Sequence, residues 1–226
     1  MPQATVHLLR HGEVHNPDGV LYGRLPEFHL SELGQEMART LAEHFRQRAE
    51  NGARITYLAA SPLDRAQETA RPTSEALHLH IHTEERIIEA ENYFEGMKVS
   101  KAELRRPKHW PRLVNPLRPS WGEPYKQQAA RVMAAAREAR LSAIELADGD
   151  FGTEGPEAIM VSHQLPIWAT RLSAEGKPLW HDPRKRECTL TSITSLVFDD
   201  DGTLVRVAYS EPAASLLPGA ASTPGA

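Results

Sequence analysis

"TVHLLRHGEVHN", residues 5–16, decides how this chain is read. Val6, Leu8 and Leu9 form a short apolar run of strand length. It stops abruptly on Arg10, His11 and Gly12: a cation, an imidazole and a residue with no side chain. A buried strand has no reason to end on such groups unless they face a ligand. In open, mostly parallel α/β sheets the ligand crevice lies beyond the carboxyl ends of the strands. The stretch therefore predicts both an architecture and the edge of it that carries chemistry.

The rest of the chain alternates strand and helix. Ser31 has the character of an N-cap, and Leu33, Met37, Leu41 and Phe45 recur every fourth residue as one helical stripe that Gly52 ends. "ITYLAAS" (55–61) is a second strand, and Asp64 to Leu77 is helical with a break before Pro72. "IHTEERIIEAE" (81–91) is extended. A long helix begins near Pro124 and runs to Leu146, "EAIMVSH" (157–163) is a buried strand, and a further helix runs from about Ile167 to Ala174. "SITSLVFDDDGTLVRVAY" (192–209) is a hairpin about Asp201-Gly202. The pattern implies an α/β fold, a three-layer α/β/α sandwich with a mostly parallel central sheet and one antiparallel strand. Residues 1–210 make one domain. Within it, residues 97–123 form a basic, proline-broken insertion, and residues 211–226 read as a disordered tail.

Four predicted strand ends carry polar chemistry: Arg10 and His11; Arg65 just inside the helix that follows the second strand; Glu89; and Ser162-His163. Two guanidiniums and an imidazole suit a phosphoryl dianion, because arginine presents a planar fork matched to phosphate oxygens. A second imidazole can attack phosphorus, and a carboxylic acid can protonate the leaving alkoxide. Gly12 would let the backbone approach the phosphate. His78, His80 and His82 share a face at strand spacing, which could hold zinc, but with no cysteine nearby they read as the solvent side of a half-buried strand. Ser162 lacks a G-x-S-x-G elbow, and no P-loop is present.

"RHGE" at 10–13, "SPLDRAQETA" at 61–70, "EAENYFEG" at 89–96 and "VSH" at 161–163 together resemble the histidine phosphatase superfamily, which includes cofactor-dependent phosphoglycerate mutases. The resemblance covers roughly residues 5 to 210. It implies a phosphoglycerate mutase-like fold, His11 as nucleophile, Arg10, Arg65 and His163 as the phosphate pocket, Glu89 as proton donor, and no metal or other cofactor. The chain departs from the family pattern in three places. Gln164 stands where a glycine is common. The distance from Glu89 to Glu95-Gly96 is one residue short, which keeps Glu91 open as donor. Asn16 matches a loop asparagine one residue early. Asn16 and Gln164 are carried as candidate phosphate contacts. Since "YGRLPEFHLSELG" (22–34) and "EAENYFEGMK" (89–98) replace the "GW-D" and "ERHYG" segments that mutases share, the reading is a phosphatase acting on a small phosphomonoester. The alternatives are a phosphoglycerate mutase and, from another class, a non-catalytic phospho-ligand binding module.

Composition sets the bounds. At 226 residues and 40% hydrophobic content the chain can bury a large core, and its net charge of −4 offers no global field for nucleic acid. No apolar run approaches the roughly 18 residues of a membrane span. The opening residues lack the apolar core of a signal peptide, and the single cysteine, Cys188, allows no internal disulfide. The expected setting is cytoplasmic, with a small phosphoester as partner, no nucleic acid, no membrane, and a homodimer as an allowed assembly. Residues 97–123 carry seven Lys or Arg against two Glu. They are expected over the mouth of the site, with basic residues such as Arg105, Arg106 and Lys108 steering anionic ligands and Trp110 or Trp121 offering an aromatic face.

Overall fold

The computed structural model describes residues 2–112 and 121–220. Six strands form one sheet in the order β3-β2-β4-β1-β5-β6: β1 Ala4–Arg10, β2 Arg54–Ala60, β3 Ile81–Thr83, β4 Pro156–Ser162, β5 Ile193–Phe198 and β6 Leu204–Ser210. β1 and β2 flank β4 in parallel. β5 runs antiparallel to β1 and β6, and is the one antiparallel strand of the sheet.

Alternation along β1 sorts its side chains to two faces. Val6 and Leu8 join Met160 and Leu196 on one side, under helices α4 (Tyr125–Leu146) and α5 (Gln164–Ala174). Leu9 joins Val161 and Ile193 on the other, under α1 (Glu32–Glu50) and α2 (Asp64–Leu77). The buried face of α4 is rich in alanine (Ala135, Ala136, Ala139, Ala143), so its backbone can lie close to the sheet. Ser31 caps α1 as predicted, its hydroxyl accepting from the Gly34 amide at 3.0 Å. Among the described residues no helix is long and apolar enough to cross a membrane.

Several expectations give way. α2 runs unbroken through Pro72, because the buried face Ala66, Thr69, Ala70 and Thr73 holds the helix in place and outweighs the hydrogen bond that proline removes. The extended segment 81–91 is only a three-residue strand followed by a 3-10 turn at Glu85–Ile87, so Glu89 lies six residues past a strand end. His78 terminates α2 in a left-handed conformation (φ 54°). The three histidines therefore do not line a strand face; His82 stacks on Tyr57 instead, with ring centroids 4.8 Å apart. Residues 211–220, expected in a disordered tail, bury Ala213 and turn through a 3-10 helix at Ala214–Gly219 against α1. Residues 221–226 lie outside the described residues. In the basic segment, a one-turn helix α3 (Lys101–Leu104) leads into a 3-10 turn at Pro107–Arg112.

Candidate active site

β1 feeds α1 on one face of the sheet and its neighbour β4 feeds α5 on the other, so the chain diverges between their carboxyl ends and opens a crevice there. The His11 amide donates to the Ser162 carbonyl at 3.1 Å, which aligns the two strand ends. His11 and His163 face each other with ring centroids 5.2 Å apart, and both are fully buried. Arg10 and Arg65 are buried as well, at 7% and 1% exposure.

Hydrogen bonds fix the chemistry of His11. Its Nδ1 lies 2.8 Å from the Gly12 carbonyl. A carbonyl can only accept, so Nδ1 carries the proton and Nε2 is left with its lone pair. That Nε2 is buried and meets no hydrogen-bonding partner. Burial, then the charges of Arg65 and Arg10, hold the imidazole well below its ordinary pKa, so it is neutral at neutral pH. His163 is held low in the same way, by burial first and then by Arg65. Its Nε2 is engaged by the Ser61 hydroxyl at 2.8 Å, while its buried Nδ1 meets no partner.

Each guanidinium donates to a backbone carbonyl. Arg10 Nη1 donates to the Cys188 carbonyl at 2.8 Å, and Arg65 Nη2 donates to that of Gly23 at 2.5 Å. Arg65 also lies over the Tyr22 ring, 4.7 Å from its centroid. Glu89 is half-buried, and its Oε1 accepts from the Ala90 amide at 2.8 Å. Burial raises its carboxyl pKa against the opposing pull of Arg65, Arg186 and Arg10. Its backbone is gripped by Arg24, whose Nε donates to the Glu89 carbonyl at 2.6 Å. Arg24 also pairs with Glu91 and Glu123, and Glu123 is bound in turn by Arg131. Glu91, whose side chain is 71% exposed, is thus part of a surface ion pair, while Glu89 belongs to the arginine crevice.

Arg10, His11, Arg65, His163 and Glu89 are brought together; Asn16 and Gln164 also make bonds to other parts of the protein. Asn16 closes its own loop, donating from Nδ2 to the Val20 carbonyl at 2.8 Å and accepting from the Val20 amide at 3.2 Å. Each end of its amide thus makes one bond within this loop. Gln164 accepts from Arg186 Nη1 at 3.2 Å and donates to the Cys188 carbonyl at 3.3 Å, which positions Arg186. Gly12 has a different reason from the one expected: a Cβ there would come within 2.6 Å of the Gly34 carbonyl oxygen in the first turn of α1. The missing bulk admits the helix.

Sequence reasoning missed Arg186, Tyr22 and the scaffold of Arg24, Arg131 and Glu123. No local pattern marks them, because each reaches the site from a loop or helix remote in the chain. Ser61 was within reach, since it opens the second motif box. Beside the crevice lies a cavity of about 370 Å³, with Glu89, Gln164 and Arg186 on its wall.

The sequence profile of the histidine phosphatase superfamily (branch 1) matches residues 6–210. A protein of Mycobacterium tuberculosis, "Uncharacterized protein Rv0525", is 48% identical over 217 residues, covering 95% of this chain and all of that protein. Among solved structures, mycobacterial glucosyl-3-phosphoglycerate phosphatase superposes with a TM-score of 0.70 at 22% identity, covering 92% of this chain and 97% of that one. A phosphoglycerate mutase from Bacillus anthracis superposes at 0.65 and 19% identity, over 96% of each chain. Taken with the arginine-lined crevice and its paired imidazoles, the profile match places this chain in branch 1 of the histidine phosphatase superfamily.

Proposed function

We infer that the protein hydrolyses phosphomonoesters through a phosphohistidine on His11. The observation that carries this reading is the His11 imidazole itself. It is neutral and buried, its proton is locked onto Nδ1 by the Gly12 carbonyl, and its Nε2 lone pair is open toward the arginine crevice. Arg10, Arg65 and the Nδ1 face of His163 hold the phosphoryl oxygens. Burial lowers the Arg65 pKa below that of a solvated arginine, so a dianion between the guanidiniums restores the electrostatic balance lost on desolvation.

In the first step Nε2 of His11 attacks phosphorus and the ester P–O bond breaks. The departing oxygen takes the proton of the Glu89 carboxyl, which burial keeps protonated to a higher pH than an ordinary carboxylic acid. In the second step water attacks the phosphohistidine and gives its proton to the Glu89 carboxylate. The P–N bond breaks, inorganic phosphate leaves, and Nε2 regains its lone pair. The positive charge comes from guanidiniums, and no step calls on a metal.

The test is substitution of the nucleophile. His11→Ala should lower turnover of p-nitrophenyl phosphate by roughly a thousand-fold or more, with the circular dichroism spectrum unchanged. Wild-type protein quenched during turnover should carry an acid-labile phosphoryl group on His11. Full activity in the variant, or label on another residue, overturns the reading. Release of inorganic phosphate separates hydrolysis from the mutase alternative, in which the phosphoryl group returns to an organic product.

A further inference from the structure

We propose that the 370 Å³ cavity beside the crevice is the leaving-group subsite, and that it selects phosphomonoesters of apolar, ring-sized alcohols carrying one hydrogen-bond donor. The proposal rests on the phosphatase reading and names the substrate class of that same site. The cavity meets the crevice at Glu89, the group that must touch the leaving oxygen, so the organic part of a bound ester extends into it.

Its walls are predominantly apolar. Leu21 and Phe94 come from the loops around the site, Val99, Leu104 and Trp121 from the basic segment, and Leu165 from the first turn of α5. The volume is a little over twice the roughly 150 Å³ that encloses a benzene, enough for two rings. Most polar groups on the wall are already engaged. Glu91 and Glu123 are held by Arg24 and Arg131, Gln164 by Arg186 and the Cys188 carbonyl, and the side-chain Oδ1 of Asn92 by the Phe94 amide. A polyhydroxylated body would lose its hydration there with little in exchange, and Arg186, the cation on the wall, is held by the neutral groups of Gln164 and His181.

One acceptor stands apart. Gln128 is fully buried, and its Nε2 donates to the Glu123 carbonyl at 2.7 Å, which fixes the orientation of the amide. Its Oε1 is then buried without a partner, on a residue that borders the cavity. Buried acceptors in native proteins are nearly always satisfied, so a ligand hydroxyl or N–H is the group that completes it.

Among the described residues, no Lys or Arg of the segment lines this wall. Arg106 and Lys108 are exposed and pair with Glu103, and Arg105 also faces solvent. The segment is instead pinned by His109, which is fully buried against Phe94 and hydrogen-bonded to Glu103 at 3.0 Å. Among its described residues, Val99, Leu104 and Trp121 face the cavity while Arg105, Arg106 and Lys108 are exposed, so the selection these residues impose is for apolarity.

The experiment has a binding arm and a turnover arm. Naphthylethylphosphonate and methylphosphonate share the anion and differ in the body. The first should bind at least about thirty-fold tighter by calorimetry, and Leu104→Asp, on the short outer helix, should erase most of that difference while leaving methylphosphonate affinity unchanged. A hydroxyl placed on the far ring should tighten binding to wild type and not to Gln128→Met. In turnover, naphthylethyl phosphate should exceed glycerol 3-phosphate by about a hundred-fold in kcat/KM; both are alkyl esters, so the leaving groups are comparable. Equal affinities for the two phosphonates overturn the subsite, whatever the enzyme hydrolyses. Tight, Leu104-dependent binding with no turnover of any ester, p-nitrophenyl phosphate included, supports the subsite and overturns the phosphatase reading instead.

Discussion

His11 and His163 are buried between Arg10 and Arg65, and the half-buried Glu89 answers to the same two arginines and to Arg186. Burial is the largest influence on each of the three. It lowers the imidazoles, which charge on protonation, and raises the carboxyl, which charges on deprotonation. Base and acid are thereby driven to opposite protonation states in one crevice. The free enzyme should show a bell-shaped dependence of kcat/KM on pH. Activity is lost on the acid side as an imidazole of the His11–His163 pair protonates, well below pH 6.5, and on the alkaline side as Glu89 ionises above the ordinary carboxylate range. Glu89→Gln should abolish the alkaline limb. It should also slow alkyl phosphates by a factor of about 10² or more while sparing p-nitrophenyl phosphate, whose leaving group needs little protonation. An equal loss on both substrates would remove the acid role, and a selective loss in Glu91→Gln would move it to Glu91.

Where β1 meets α1, two glycines interlock: the site of a Cβ on Gly12 is taken by the Gly34 carbonyl, and that on Gly34 by the Glu13 carbonyl. Both obstacles are backbone, which cannot swing aside as a side chain does. Gly12→Ala should therefore destabilise the fold by about 2 kcal/mol, a fall in Tm of roughly 4–8 °C for a domain of this size. It should also displace His11, so activity should fall further than stability; an unchanged Tm would show that the approach is looser than the geometry says. A second junction ties three strands to α1. His7 on β1 bonds Ser195 on β5 at 2.8 Å and Glu157 on β4 at 3.0 Å, and Glu157 also pairs with Arg48 of α1. Burial alone would raise the Glu157 carboxyl, but the hydrogen bond and charge of His7, then those of Arg48, bring it down to about 2. Because the folded-state pKa lies below the ordinary 4.5, the stabilisation is fully present above about pH 4.5 and fades as pH falls toward 2. The pair of values corresponds to about 3 kcal/mol. Glu157→Gln should cost a similar amount at pH 7 in urea melts and flatten the acid end of the stability profile, and a profile as steep as wild type would remove Glu157 from it.

Across the whole molecule, chemistry is concentrated at one edge of the sheet, and the charge it needs is delivered by arginines from β1, α2 and the loop before β5. Turnover should accordingly persist after prolonged chelation, and loss of activity restored by a divalent ion would add a component that the mechanism lacks. The sequence by itself determined the α/β alternation, the single antiparallel strand and the five residues of the crevice. Each of these is written locally, as an apolar run of strand length, a four-residue stripe, or polar groups at or shortly after the end of such a run. What only the tertiary structure decided are the features made by segments far apart in the chain. Arg24 clasps a carbonyl 65 residues away, and Arg186 reaches the crevice through Gln164. The Gly12–Gly34 contact gave Gly12 a packing role, and Asn16 turned out to bond within its own loop. Seven positive charges in residues 97–123 pointed to electrostatic selection, yet among the described residues of that segment it is Val99, Leu104 and Trp121 that line the cavity, while Arg105, Arg106 and Lys108 are exposed. Composition counts charges without regard to direction; only the folded chain, by burying one side of a segment and hydrating the other, determines which side a ligand meets.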